Sequence, residues 1–286
     1  MLAVSLLVVS CSKKEVLTTS QPEGFAHICV GVNDFTITEG EFPTRDGEPV
    51  IEYAGVKAID LAFYEGTTEV YKHTQMRDDG STYTTFGSFE CDLPIGNYTM
   101  VVIGRGYSVG DVFELNSPTS AAYTSERARE TFCATQSVTV TSSTPLDLTI
   151  TLSRIIAKLH IVSTDERTAS VTKIRTTYGA GGKSFNPTTG LATVNSGFAV
   201  TNTPSSAVTT LDVGNYTFLA TDEQTVDITI EALDAGENVL FTKVVSNVPL
   251  RRNRVTTLTG QVFTAGTSSA TFQVDSDWLE GNEVPF

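Results

Sequence analysis

Apolar and polar residues alternate with a period of two in short, separated runs along this chain. Ile59, Leu61 and Phe63 alternate with Asp60 and Ala62, and Glu65-Gly66 supplies a turn signal before a second run through Val70 and Tyr71, which predicts a hairpin. Phe89, Cys91 and Leu93 alternate with Glu90 and Asp92. Leu146, Leu148, Ile150 and Leu152 alternate with Asp147, Thr149, Thr151 and Ser153. Successive side chains of a strand point to opposite faces, so each run is expected to bury one face only. In the second half Val226, Ile228 and Ile230 alternate with Asp227 and Thr229. Asp234-Ala235-Gly236-Glu237-Asn238 then predicts a turn into a strand over 239–245. Residues 25–32 carry a further strand pattern. Only residues 119–129 (TSAAYTSERAR) are expected to make a short helix.

The pattern contains an internal echo. The heptapeptide LPIGNYT at 93–99 recurs as LDVGNYT at 211–217, each time followed by apolar residues, and in each copy Gly-Asn is expected to form a turn. Two copies imply two related domains, which suits a length of 286 residues when domains run to about 100–200. The boundary is expected near 154–157, giving one β-sandwich over 25–156 and a second over 157–286. Thr, Ser and Val are abundant and charged residues make up only 18% of the chain, which reinforces an all-β reading. The formal net charge of −14 argues against a phosphate-backbone partner, since such binding rests on clustered Lys and Arg; no nucleic acid is expected.

The first ten residues change the picture of where the chain works. Leu2, Val4, Leu6, Leu7, Val8 and Val9 form an apolar run ending directly before Cys11, and Val8-Val9-Ser10-Cys11 resembles the lipobox of a bacterial lipoprotein signal peptide. That resemblance implies a signal peptide over 1–10, cleavage before Cys11, and lipidation of the Cys11 thiol. Buried acyl chains, palmitate among them, would then hold the protein at the outer membrane surface. Residues 11–24 have the polar composition of a tether. The basic segment that opens such signals is missing, so the true start is expected upstream. Beyond residue 10 no apolar stretch approaches the ~20 residues of a membrane-spanning helix.

Little in the sequence points to chemistry. Cys29, Cys91 and Cys133 show neither a CxxC pair nor metal-like spacing; one disulfide with a free thiol and three buried thiols both remain open, and buried small hydrophobes suit the strand context. His27 and His160 sit inside apolar strand patterns, where a satisfied structural role is expected, and no metal is assigned. Tyr178-Gly179-Ala180-Gly181-Gly182-Lys183-Ser184 imitates a P-loop, but Thr177 stands where that motif needs its first glycine, so a glycine-rich hairpin loop is expected. Asp275 and Asp277 could attract calcium only with further oxygens converging on them. Trp278, the sole tryptophan, is expected to pack where the last strand, 271–274, leaves its sheet. No cofactor and no enzymatic activity are expected.

With these elements placed, the chain resembles the Bacteroidales fimbrillin superfamily, the subunits of type V pili and their lipoprotein anchors. The resemblance rests on the lipobox at Cys11, the repeated Leu-x-x-Gly-Asn-Tyr-Thr, the mid-chain LSRIIAKL at 152–159, and VPLRRNR at 248–254 leading into Leu258-Thr259-Gly260. It implies two tandem transthyretin-like β-sandwich domains and a structural subunit or membrane anchor of surface fimbriae. Its partners would be other fimbrial subunits, joined by β-strand addition, and the outer membrane, joined through the lipid. It also implies a maturation cleavage for stalk subunits, in which an arginine-specific protease cuts an exposed loop after the first strand. Arg45, in the charged Gly- and Pro-containing segment 39–49 (EGEFPTRDGEP), is the candidate; an ordinary surface arginine is the alternative. The rival function is a glycan-binding surface lipoprotein of a polysaccharide-uptake system. An exposed row of aromatic side chains would favour that rival, and an apolar groove beneath a terminal strand would favour the fimbrial reading.

Overall fold

The computed structural model describes residues 24–36, 48–49, 54–77, 85–264 and 273–275. Within them the chain is all strand and turn. The strands are β1 (Phe25–Thr36), β2 (Glu48–Pro49), β3 (Ala58–Glu65), β4 (Thr68–Met76), β5 (Ser88–Pro94), β6 (Gly96–Arg105), β7 (Phe113–Ser117), β8 (Ser120–Tyr123), β9 (Thr131–Val140) and β10 (Leu146–Arg154). After Ile156 follow β11 (Ala157–Ser163), β12 (Lys173–Tyr178), β13 (Ser184–Asn186), β14 (Leu191–Ala192), β15 (Phe198–Asn202), β16 (Asp212–Thr217), β17 (Glu223–Leu233), β18 (Val239–Arg251), β19 (Val255–Gly260) and β20 (Gln273–Asp275).

The strand order repeats. In the first half β4-β3-β6-β9 faces β5-β1-β10, with β1 parallel to β10 and antiparallel to β5. Backbone pairing joins the two layers where β9 meets β10, through Phe132–Arg154 and Cys133–Ser153. In the second half β15-β12-β17-β18 accompanies β16-β11-β19, with β11 parallel to β19 and antiparallel to β16. Each half closes its own core: Ile28, Leu61, Phe63, Met100 and Leu152 in the first, and Leu159, Ile174, Ile228, Ile230 and Leu258 in the second.

Each half also carries an inserted pair of short strands: β7–β8 between β6 and β9, and β13–β14 between β12 and β15. The insertions join one another. Ser184 pairs with Ala122 and Phe185 with Ala121, making a four-stranded sheet β14-β13-β8-β7 whose strands come from both sides of Ile156. Beneath it lies a third core of Tyr64, Ile103, Tyr123, Ile156, Phe185 and Phe218, in which the Phe185 and Phe218 rings stack with centroids 4.4 Å apart. A cut at the 156/157 boundary therefore splits a sheet and a core.

Four sequence expectations are corrected. Residues 119–129 contain no helix: Ala121 and Tyr123 alternate with Ser120 and Ala122 in β8, whose pairing with β7 and β13 outweighs local helix propensity. The two heptapeptides do not occupy equivalent places. LPIGNYT bridges the end of β5 and the start of β6, whereas LDVGNYT lies along the single strand β16, and neither Gly96 nor Gly214 has a positive φ. What Gly96 provides is room, since a Cβ there would lie 2.8 Å from the Tyr98 hydroxyl, which donates to the Pro94 carbonyl at 2.8 Å. The glycine-rich segment 179–183 is not a hairpin but a crossing from β12 in one sheet to β13 in another. Gly181 there has φ 87°, and a Cβ on Gly182 would collide with the Val194 carbonyl oxygen.

The fourth correction concerns β3, which buries both faces. Ile59, Leu61 and Phe63 enter the first core, while Ala62 and Tyr64 enter the third, because the inserted sheet covers what would otherwise be solvent-facing. Asp60 is buried with them and receives the Arg105 Nε–H at 2.7 Å and the Thr74 hydroxyl at 2.6 Å. The Arg105 guanidinium also lies 4.6 Å from the centre of the Phe113 ring. A second buried pair, Arg154 with Glu130 at 2.8 Å, sits at the junction, where Arg154 also reaches Asn253 at 3.1 Å.

Candidate interaction site

The feature with the clearest capacity to act on another molecule is β1. Its sequence alternates Ala26, Ile28, Val30 and Val32 with His27, Cys29 and Gly31, and the first set lies wholly within the first core. Both its edges are occupied. On one side Phe25 to Gly31 pair antiparallel with Pro94 to Ser88; on the other Ile28 to Val32 pair parallel with Leu146 to Ile150, with a register shift before Phe35. β1 thus fills a slot between β5 and β10 whose floor is apolar and whose walls are unsatisfied backbone when the strand is absent. Cys11 precedes it and Arg45 follows it in the chain; both residues lie outside the described part, as does Trp278.

A cross-strand pair pins β1 in register: His27 Nδ1 lies 3.0 Å from Asp92 Oδ1 on β5. The second half has a counterpart, His160 Nε2 at 2.6 Å from Asp212 Oδ1, linking β11 to β16, the strands that occupy the places of β1 and β5. The sequence marks both histidines as structural but does not reveal their partners, because strand register is not local information. Among the described residues no group of three or more His, Cys, Asp or Glu side chains is placed to hold a metal ion. Asp275 ends β20, and Asp277 lies outside the described residues.

Of the two cysteine alternatives, buried thiols are what the fold contains: Cys29, Cys91 and Cys133 are all buried and form no disulfide. Burial pushes the Cys91 thiol up to about 12, with the Asp92 carboxylate adding to the shift, and burial pushes Cys133 higher still. Cys133 Sγ donates to the Pro187 carbonyl at 3.4 Å. Folding holds both groups protonated, so their contribution to stability is whole below the ordinary thiol range and is lost as pH rises toward 12. Both are expected to resist a thiol reagent at about pH 8 in the native protein and to react promptly in denaturant. Mass spectrometry of labelled peptides checks this; rapid native labelling of Cys91 would mean that the β5 side of the core opens readily.

Aromatic side chains are drawn inward. Among the described residues none is exposed, and the exposed large hydrophobics are aliphatic, Val109, Val244 and Ile95 among them. Two clefts lie beside the junction. One of about 270 Å³ is lined by Cys133, Arg154, Thr188 and Arg252, and one of about 330 Å³ by Thr67, Thr99, Ser137 and Thr188.

Comparison with known proteins adds a family and a fold. A family model described as a family of unknown function, DUF6562, matches residues 61–282. No curated protein matches the chain. Similar solved structures include an adhesin candidate from Bacteroides ovatus ATCC 8483, with a TM-score of 0.51, 10% identity, and 84% of this chain and 88% of that one covered. A candidate polysaccharide-binding protein (DUF1812) from Bacteroides thetaiotaomicron has a TM-score of 0.51, 11% identity and coverage of 88% and 95%. Another adhesin candidate from Bacteroides ovatus has a TM-score of 0.51, 10% identity and coverage of 91% and 96%. At such identities the likeness establishes the shared all-β fold and nothing finer.

Proposed function

Because the chain belongs to DUF6562, a family of unknown function, its role has to be read from its own strands, and we propose that it is a structural subunit or membrane anchor of bacterial surface fimbriae that assembles by β-strand addition and supports cell adhesion. The observation that carries this reading is the seat of β1, a terminal strand lying over an apolar floor between two strands that lose their partner if it leaves. Such a vacancy favours the strand of another subunit, with main-chain hydrogen bonds giving affinity and the pockets of Ala26, Ile28, Val30 and Val32 giving register. The names of two similar structures, adhesin candidates, support a cell-surface role. In this reading the work is done by backbone pairing, without catalysis.

Cys11 and Arg45 would then decide the position in the fibre. Acylated Cys11 holds an uncut chain at the outer membrane as an anchor. A cut after Arg45 would release β1 together with the lipid, freeing the slot and the subunit at once. Treating purified protein with an arginine-specific protease is expected to yield a fragment starting at Asp46 and, with it, a ladder of polymers that resist boiling in mild detergent. Arg45→Ala should abolish both. A cut product that stays strictly monomeric overturns assembly at this slot, and an uncut one leaves the anchor role. Replacing Cys11 by Ser should remove metabolic fatty-acid label; persistent label would overturn the lipid assignment. Glycan binding is the second reading, favoured by the DUF1812 structure's description, but the aromatic platform it calls for is not found among the described residues.

A further inference from the structure

Several sheet edges in this fold carry devices that oppose further pairing. β4 carries Glu69, Lys72 and His73 and lies opposite a register shift at Phe63 and Tyr64. β5 carries Glu90 and Asp92 and ends on Pro94. β18 carries Lys243, Pro249 and Arg251 and shifts register twice against β17. β16 begins with Asp212 and is bridged at Tyr216 by Ala128, and on β15 the Thr201 backbone is taken by Glu126 and Arg127. Charges, proline, bulges and covering loops are the devices by which natural sheets refuse an added strand.

β9 has no charge, proline or register shift, and the 187–190 loop stands across a cleft from its Cys133 end. It pairs with β6 without a register shift from Thr131 to Val140, and it meets β10 only at Phe132 and Cys133. From Ala134 to Val140 no strand of the described residues pairs with its second edge. Residues 133–145 (CATQSVTVTSSTP) contain no charged side chain, in a chain whose net charge is −14. Gln136, Ser137 and Thr139 are exposed, while Val138 and Val140 enter the core and hold the strand in place.

We propose that this edge is a self-association site, at which two copies pair antiparallel through residues 134–140 and fuse their β4-β3-β6-β9 sheets into one. A second copy is the occupant the charge distribution favours. Two chains of this net charge repel, and this uncharged strand is the edge along which their backbones meet without setting acid against acid. The strand is also self-complementary: a register centred on Ser137 places Ser137 opposite Ser137 and Thr135 opposite Thr139, hydroxyl pairs that stabilise antiparallel strands, related by the two-fold axis of a closed dimer. The slot of β1 is not involved, so the association needs no cleavage.

Sedimentation velocity on the intact chain with Cys11→Ser, from about 1 µM to about 1 mM, covers the range in which a small interface associates. The expected result is a concentration-dependent dimer, with slowed amide hydrogen exchange at 134–140 as the dimer forms. Ser137→Lys with Thr139→Lys sets like charges opposite one another and should weaken dimerisation at least about tenfold at unchanged melting temperature. Gln136→Lys, on the other exposed position, serves as the second variant should the double one fold poorly. A chain that stays monomeric throughout overturns the proposal, and so does a dimer that folded lysine variants leave intact.

Discussion

Truncating Phe185 to Ala is expected to destabilise the whole protein by about 3–5 kcal/mol, the range for a buried Phe that leaves a cavity, and to do so without separating the unfolding of the two halves. Phe185 is a residue of the second half with no solvent exposure, but its ring packs on Phe113 of the first half and Phe218 of the second, and its backbone pairs with Ala121. The loop after β8 adds further ties: Arg127 donates to the Thr201 carbonyl and Asn202, and Lys183 donates to the Ser125 carbonyl. A chain starting at Ala157 loses all of these partners and uncovers Phe185 and Phe218 together. It is expected to show β-type circular dichroism without a cooperative melt, while the intact protein unfolds in one transition. Denaturant titration followed by near- and far-ultraviolet circular dichroism reads both. A 157–286 fragment melting cooperatively near the temperature of the intact chain would show that the shared sheet joins two independent domains and does not complete them.

Asp60→Ala should cost a similar amount, about 3–5 kcal/mol, for a different reason. Asp60 and Arg105 have side-chain exposures of 4% and 8%, and their contact is direct at 2.7 Å. Removing the carboxylate leaves a guanidinium charge in the interior with its desolvation uncompensated, which is what makes half of a buried pair so unfavourable. Replacing both at once, Asp60→Leu with Arg105→Met, should recover most of the loss, because no charge is then stranded. The exposed pair Arg251–Glu223 is the control, expected to change stability by no more than about 1 kcal/mol when broken. Equilibrium unfolding in urea measures all three. An Asp60→Ala protein within about 1 kcal/mol of the original would mean that water reaches Arg105 beneath the β7–β8 hairpin.

Much of this architecture is legible in the chain because strand formation is dictated locally. The alternations at 89–93, 146–152 and 226–230, the turn at 234–238 and the hairpin after Glu65-Gly66 all appear where apolar residues recur at period two between turn residues. β3 shows the limit. Its pattern specifies a strand and the face that meets the first core, but Ala62 and Asp60 are buried by a hairpin inserted some fifty residues later in the chain, and no local rule announces that. The repeated heptapeptide shows a second limit, since it occupies a turn in one half and a strand in the other, while the repeat that does exist is one of strand order.

The candidate site divides in the same way. Cys11 and Arg45 are matters of short motif and composition, and β1 is visible as an apolar alternation. Its neighbours are not: β5 follows it by more than fifty residues and β10 by more than a hundred, and only closure of the sandwich brings them to its two sides. The sequence by itself determines which residues can form strands and which face of each prefers the core, because side-chain alternation and turn chemistry act over a few residues. Tertiary structure alone decides which edges are filled, which stay open, and which polar side chains go inside with a partner, because backbone pairing and burial join residues that the chain holds far apart.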